Sequence, residues 1–296
     1  MVPRIVVVTR RSELEGLLER HGTRSAAAFF LAERGQELEP IEAWHASFEG
    51  ALQKVLAAVP RTWRRTRIDR SDLDRFLFEP EDVVVAVGQD GLVANVAKYL
   101  TGQPVIGVSP DPSRQPGVLV RHRASAGISR MLAVAAGREV TVELRVMVEA
   151  HLDDGQVLRA LNEVFVGHRT HQSARYRIAF RGAEERQSSS GVLVSTGTGA
   201  TGWASSVARQ RRADVVLPAP EEPRLAFFVR EAWPSPATGC DVTDGLLDPG
   251  EGLQIVSEMP ERGVVFGDGI EDDALVFGWG QRLTVRASPH RLHLVA

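Results

Sequence analysis

The chain is short of the features that would place it at a glance. It has one cysteine, Cys240, in 296 residues, so neither an intrachain disulfide nor a cysteine-built zinc site can form. Neither sign of charge dominates: 35 basic and 38 acidic residues leave a net charge of -3, with no basic tail. The electrostatic footprint of a nucleic-acid binder is therefore missing. Arg64-Arg65 and Arg209 to Arg212 are short basic clusters that read first as solvated surface, with phosphate contact as the alternative. The opening stretch from Met1 to Thr9 reads as a strand and is far too short for a signal h-region or a membrane span. No membrane partner and a cytoplasmic location are the expectation. Repeats and low-complexity tracts are absent. What remains, 43% apolar and 25% charged, is the composition of a globular chain long enough for one large domain or two moderate ones.

Against that background one stretch stands out. Val83 to Val87 is an unbroken β-branched run with no polar alternation, the pattern of a strand buried on both faces of a parallel sheet. It stops at Gly88-Gln89-Asp90-Gly91, and Leu92, Val96, Tyr99 and Leu100 then recur at helical spacing up to Gly102. A glycine turn between strand and helix exposes backbone N–H groups where the helix dipole favours an anion. A carboxylate there, Asp90, is unfavourable beside a phosphate unless it binds a metal or takes a proton. It can also merely cap the following helix.

Strands alternate with helices from residue 4 to residue 108. Ile5 to Val8, Thr62 to Ile68 and Val105 to Val108 supply further strands. Leu14 to Leu18, Ala26 to Leu31 and the stripe Trp44, Phe48, Leu52, Val55, Leu56 and Val59 supply helices, with Ser71 a candidate cap for a short one. The alternation predicts a parallel α/β sheet covered on both faces, with ligands past the carboxyl ends of its strands. Pro110 to Gly117 is a loop by composition and Ile128 to Ala136 a connecting helix. From Val140 onward the period changes to two: Val140, Val142, Leu144, Val146 and Val148 alternate, Asp153-Asp154-Gly155 forms a hairpin turn, and Val157 to Val166 returns. Short strands separated by glycine and proline follow to the end, which predicts a mostly antiparallel second domain. The expected division is 1–124 for the α/β domain and 125–296 for the β-rich one, with the closing residues a candidate to return to the first.

Two segments of the second half carry chemistry. Leu161-Asn162-Glu163-Val164 sets an amide beside a carboxylate in an apolar strand; neighbours on a strand face opposite sides, so one of the two points toward a core or a cleft. Ser195-Thr196-Gly197-Thr198-Gly199-Ala200-Thr201-Gly202-Trp203 is a strand running into small and hydroxyl residues, then a helix. Its glycines let a ligand approach the backbone, its hydroxyls orient donors, and Trp203 offers a flat surface, a set that suits a nucleotide. Asp268, between Gly267 and Gly269, is a further candidate, whereas Glu271, Asp272 and Asp273 read as a solvated acidic turn. His168 and His171 lack a third ligand at metal spacing, and Ser195 lacks the Gly-x-Ser-x-Gly elbow of a hydrolase.

Taken in order, Gly88-Gln89-Asp90-Gly91, Leu161-Asn162-Glu163-Val164, Ser195 to Trp203 and Phe266-Gly267-Asp268-Gly269-Ile270 resemble the motifs of the NAD kinase family. The likeness is nearest to its mitochondrial-type branch and bacterial relatives, which share the Pro104-Val105-Ile106-Gly107-Val108 strand before an Asp-Pro loop. The resemblance implies a two-domain fold and Mg²⁺-dependent transfer of the ATP γ-phosphoryl group to the adenosine ribose 2′-hydroxyl of NAD. It implies that Asp90 accepts the proton of that hydroxyl, that Gly88, Gln89 and Gly91 border the phosphates, and that Asn162 and Glu163 hold the dinucleotide. Thr196, Thr198, Gly199, Thr201, Trp203 and Asp268 would complete the nucleotide site, and a homodimer or larger homo-oligomer is implied. The chain departs from the family pattern at Gln89 and Leu92, where Gly and Thr are usual, at Ser190, where many members carry Asp, and at Gly202-Trp203, where Ala-Tyr is usual in bacterial enzymes. Two other readings stay open: a kinase of this architecture acting on another nucleoside or a lipid hydroxyl, and a non-catalytic nucleotide sensor.

Overall fold

The uninterrupted valine run is what the interior of a parallel sheet requires. In the computed structural model, which describes residues 3–114, 117–125, 127–211 and 215–296, the strand Val83–Val87 is buried at every position. Expectations touching Met1, Val2, Gln115, Pro116 and Arg212 lie outside the described residues. The chain divides into two compact units, one of Met1–Glu143 with His293–Ala296 and one of Leu144–Leu292. The first unit thus continues through the connecting helix, past residue 124, because Ile128, Leu132 and Ala135 of that helix are buried in the core of the parallel sheet.

The first unit has five parallel strands in the order β2-β1-β3-β4-β5: β1 (Arg4–Thr9), β2 (Arg64–Asp69), β3 (Val83–Val87), β4 (Pro104–Ser109) and β5 (His122–Arg123). His293 and Leu294 pair in parallel with Pro104 and Val105, so the last residues of the chain extend this sheet. Helices α1 (Glu13–His21), α2 (Arg24–Ala32), α3 (Glu39–Ala58), α4 (Asp90–Ala97) and α5 (Ile128–Ala136) pack around it. Sequence chemistry sets their starts: Ser12 and Glu15 form a reciprocal capping box on α1, and Thr23 caps α2. Phe48, Leu52 and Val55 of α3 join Ile5, Val7, Val85 and Ile106 in the core. At the amino ends of β1 and β3, the fully buried Asp82 accepts from Arg4 Nε (2.7 Å), Arg4 Nη2 (2.6 Å) and the Glu79 N–H (2.7 Å). Losing one partner of such a buried pair costs about 3–5 kcal/mol. That pin leaves the opposite, carboxyl ends of the strands free to carry function.

The second unit is built from antiparallel strands. Its strands are β6 (Val142–Leu152), β7 (Val157–Ala160), β8 (Glu163–His168), β9 (Ala174–Phe180), β10 (Ala183–Ser189), β11 (Gly191–Ser195), β12 (Leu225–Arg230), β13 (Asp244–Leu247), β14 (Gly252–Ser257), β15 (Gly263–Gly267), β16 (Ile270–Val276) and β17 (Arg282–Val295). One sheet runs β10-β9-β14-β17, the other β13-β12-β11-β8-β15-β16, and β6 and β7 form a hairpin. Inward residues of both sheets, among them Tyr176, Ile178, Val194, Phe227, Ile255 and Val285, share one core. Helix α6 (Trp203–Arg211) follows β11.

One sequence expectation is corrected here. Val157 to Val166 is not a single returning strand. It breaks at Leu161 and Asn162, whose N–H groups both turn to the Asp268 carboxylate, and the chain leaves its pairing with β6 to join β11 and β15. Periodicity alone could not show the break, because the apolar alternation continues through it. Among the described residues no helix is long and apolar enough to cross a membrane.

Candidate functional site

In the first unit the carboxyl ends of β1 and β3 open into a cavity of about 840 Å³, within the range of small-molecule sites. Gly88, Gln89, Gly91 and Leu92 form one wall; Arg10, Arg11, Ser12 and Glu13 form another; Ile41, Trp44 and Phe48 of α3 close an apolar side, with Arg114 at the rim. Trp44 and Phe48 stack with ring centroids 5.6 Å apart and planes 4° from parallel. Arg11 is ion-paired with Glu19. Arg10, exposed at the end of β1, makes no hydrogen bond or ion pair among the described residues. The turn brings a helix start to the same wall. The first N–H groups of an α-helix have no partner within it, so the start of α4 presents donors there. A Cβ added at Gly91 would meet no atom within 4 Å, so nothing in the protein uses the space this glycine leaves. The arrangement of cations, helix start and stacked rings is chemically suited to a phosphorylated heterocycle.

Asp90 does not cap its helix through its side chain. It is the first residue of α4, Gln89 is the N-cap residue, and no side-chain cap bond forms. Its carboxylate accepts instead from three consecutive backbone N–H groups, Val118 to Oδ2 at 2.8 Å and Leu119 and Val120 to Oδ1 at 2.9 Å each. Leu119 and Val120 are buried, which ties Asp90 to a segment 28 to 30 positions away that carried no motif.

In the second unit Asn162, Glu163, Thr196, Thr198, Gly199 and Asp268 come together where β7 gives way to β8. Asp268, at φ +53°, accepts from the Leu161 and Asn162 N–H groups at 2.8 and 2.7 Å and donates its own N–H to the Glu163 carbonyl. Thr196 donates its hydroxyl to the Leu161 carbonyl (2.6 Å) and accepts from the Thr198 N–H (3.1 Å). Burial, followed by the nearby Asp268 charge, pushes the Glu163 carboxyl up to about 7, so it titrates near neutrality. The Thr198 hydroxyl is buried and has no hydrogen-bond partner among the described residues, a hydrogen-bonding capacity a ligand could meet. Thr201 donates to the Thr198 carbonyl.

Trp203 begins α6 and stacks on Phe165 (5.6 Å, 18°), with the Arg230 guanidinium 5.3 Å from its ring centroid. These rings, with His168, Arg169 and Phe266, line a pocket of about 180 Å³. Phe165 thus stacks on the Trp203 ring, which is half-buried and still borders the pocket. Sequence reasoning did not single out Arg10, Arg11 and Arg114. The signal that could have found the first two is their position directly after the apolar run of β1, the counterpart of Gly88-Gly91 after β3. Trp44, read as one more core position, packs against the core and also lines the cavity, as does the fully buried Phe48.

No protein-family model matches the chain, and no curated protein matches it significantly. Solved structures do share its fold. An NAD kinase from Archaeoglobus fulgidus in complex with ATP aligns at a TM-score of 0.59 and 17% identity over 99% of this chain and 93% of that one. Yeast NADH kinase complexed with NADH aligns at 0.61 and 15% identity over 100% of this chain and 84% of that one. The mixed architecture of a parallel α/β sheet and a β-rich antiparallel part is common to all three, and the likeness at these identities is one of fold.

Proposed function

We propose that the protein is a kinase of NAD or NADH, transferring the γ-phosphoryl group of ATP to the adenosine ribose 2′-hydroxyl. The observation that carries the reading is the cavity at the carboxyl ends of β1 and β3, where Gly88 to Gly91 and Arg10 meet, on a fold shared with an NAD kinase bound to ATP and an NADH kinase bound to NADH. Arg10, Arg11 and the first N–H groups of α4 would receive the phosphates, and the Trp44 side of the cavity would take the adenine. Asn162, Thr198 and Glu163 would hold the dinucleotide, with the unpartnered Thr198 hydroxyl donating to it.

Phosphoryl transfer through a loose transition state asks mainly for positioning and charge stabilisation. As the ribose oxygen forms its bond to the γ-phosphorus, the bond to the ADP oxygen breaks and the hydroxyl proton passes to Asp90 Oδ2. Three of the roughly four acceptor positions of an ionised carboxylate are occupied at Asp90, which leaves one for that hydroxyl. Among the described residues no cluster of three or more His, Cys, Asp or Glu could hold a metal ion alone. Mg²⁺ binds through substrate phosphates and one or two carboxylates, and Glu13 on the cavity wall would offer it one. Bound there, the ion would neutralise charge on the phosphates.

The test is direct. Purified protein with ATP, Mg²⁺ and either NAD or NADH should yield NADP or NADPH; no product from either acceptor overturns the reading. The fixed hydrogen bonding of Asp90 also favours a second reading, a nucleotide sensor in which that carboxylate is purely structural. Tight calorimetric binding of NAD(H) or NADP(H) with no turnover would establish it.

A further inference from the structure

The three N–H groups on Asp90 need an unusually close approach of the 117–120 segment to β4 and to α4. At Gly107 of β4, a Cβ would overlap the Leu119 carbonyl, with the carbonyl carbon at 2.8 Å. At Gly117, a Cβ would overlap the Val120 side chain and lie 2.6 Å from Asp90 Oδ1. Both glycines have their space filled by the protein, unlike Gly91. Leu119 and Val120 are each 3% exposed and anchor the segment, while Val118, which bonds Oδ2, is 45% exposed. The bonds are unevenly shared: Oδ1 accepts two and Oδ2 one. With about two acceptor positions per carboxylate oxygen, Oδ1 is saturated and Oδ2 keeps one.

Resting on the kinase reading, we infer that residues 117–120 are a positioning strap: admitted by Gly107 and Gly117, their N–H groups lock the Asp90 carboxylate and leave one acceptor site, on Oδ2, for the substrate hydroxyl. Asp90 contributes the catalytic group. Gly107, Gly117 and the strap backbone act through it. A hydroxyl can then meet Asp90 in one orientation only, and the geometry is in place before substrate arrives.

Gly117→Ala tests this, because it leaves Asp90 and its charge intact while forcing the strap away. The expected result is a kcat at least about 10-fold lower with KM for both nucleotides within about two-fold, since a misaligned acceptor slows transfer more than it weakens binding. Gly50→Ala, at a helical glycine whose Cβ would meet nothing within 4 Å, should leave both parameters unchanged. Amide hydrogen exchange supplies a readout that needs no turnover. The Val118, Leu119 and Val120 amides should be protected in wild type, exchange at least about 10-fold faster in Asp90→Ala, and stay protected when NAD or NADH is bound. Wild-type activity with an unchanged Gly117→Ala kcat overturns the inference alone, as does loss of strap protection on dinucleotide binding. A wild-type protein that makes no product overturns the kinase reading and this inference together. Should Gly117→Ala not fold, exchange in the wild type with and without dinucleotide decides.

Discussion

Gly91 and Gly199 hold matching places in two strand-to-helix turns, one after β3 and the other after β11, and their surroundings are opposite. Around Gly91 an added methyl would find no neighbour within 4 Å, whereas at Gly199 it would overlap the Asn162 carbonyl and sit 2.7 Å from its carbon. Gly197, two residues earlier, is equally closed, with Pro220 N at 2.6 Å. In the first turn glycine leaves room that the protein does not fill. In the second, glycine lets the turn press against the Asn162 backbone, so that Thr196 can bond Leu161 and Thr198 is set in place. A glycine-rich stretch in a sequence thus marks two different things, space for a ligand or space for the chain, and a motif does not distinguish them.

The comparison can be broken most severely at the carboxylate beside the open turn. On the proposed kinase reading, Asp90→Ala removes the proton acceptor together with the anchor of residues 118–120, and should lower kcat by about 10²–10⁴-fold, the usual contribution of a general base, as read in an NADP(H)-forming assay. Asp90→Asn is a less clean probe. Its amide would turn one N–H₂ group toward a backbone donor, so it should also lose roughly 1–3 kcal/mol of stability in urea denaturation.

The next effect separates the two glycines. Gly199→Ala should cost roughly 1–3 kcal/mol or prevent folding, through overpacking against Asn162. Gly91→Ala should leave the melting temperature unchanged or raise stability by up to about 1 kcal/mol, while raising KM for ATP. Equal stability losses at both positions would remove the distinction. A change confined to binding is expected at the cation on the open cavity wall. Arg10→Ala should raise KM for ATP by about 10- to 100-fold, the loss of one charge-assisted hydrogen bond of about 1.5–3 kcal/mol, with the melting temperature of the free protein unaltered.

A pH-dependent effect tests the closed turn through Glu163. Its carboxyl is raised to about 7 by burial and by Asp268. The folded state therefore binds a proton that the unfolded state has already released across the interval from the ordinary carboxylate value, 4.5, to about 7. Stability from this group is full below that interval, declines as pH rises through it, and levels off above about 7. Melting curves from pH 5 to 8 should show that decline in wild type and a flatter profile in Glu163→Gln.

How much of this was legible in advance depends on the range of the interactions involved. The buried strand Val83–Val87, the helix Ile128–Ala136 and the change from α/β to period-two patterning all follow from local propensity and periodicity, and the structure has them. The short strands β5, β10 and β13 escaped notice because their residues, such as Glu184, Glu185 and Gln187, carry no apolar run. The break at Leu161–Asn162 escaped notice because it is made by Asp268, more than a hundred residues on. The embrace of Asp90 by Val118 to Val120 involves backbone N–H groups, which every residue but proline possesses, so no side-chain pattern advertises it.

The sequence by itself determined the alternation of elements, the two types of sheet and the chemical identity of the residues around both turns, because these depend on residue type and short-range spacing. The tertiary structure alone decided which glycines face open space, what Asp90 bonds to, and which cations of the first unit share a cavity wall with the Gly88–Gly91 turn. Each of those depends on atoms brought together from distant parts of the chain by closure of a core, and packing distances of a few ångströms are not written in composition or period.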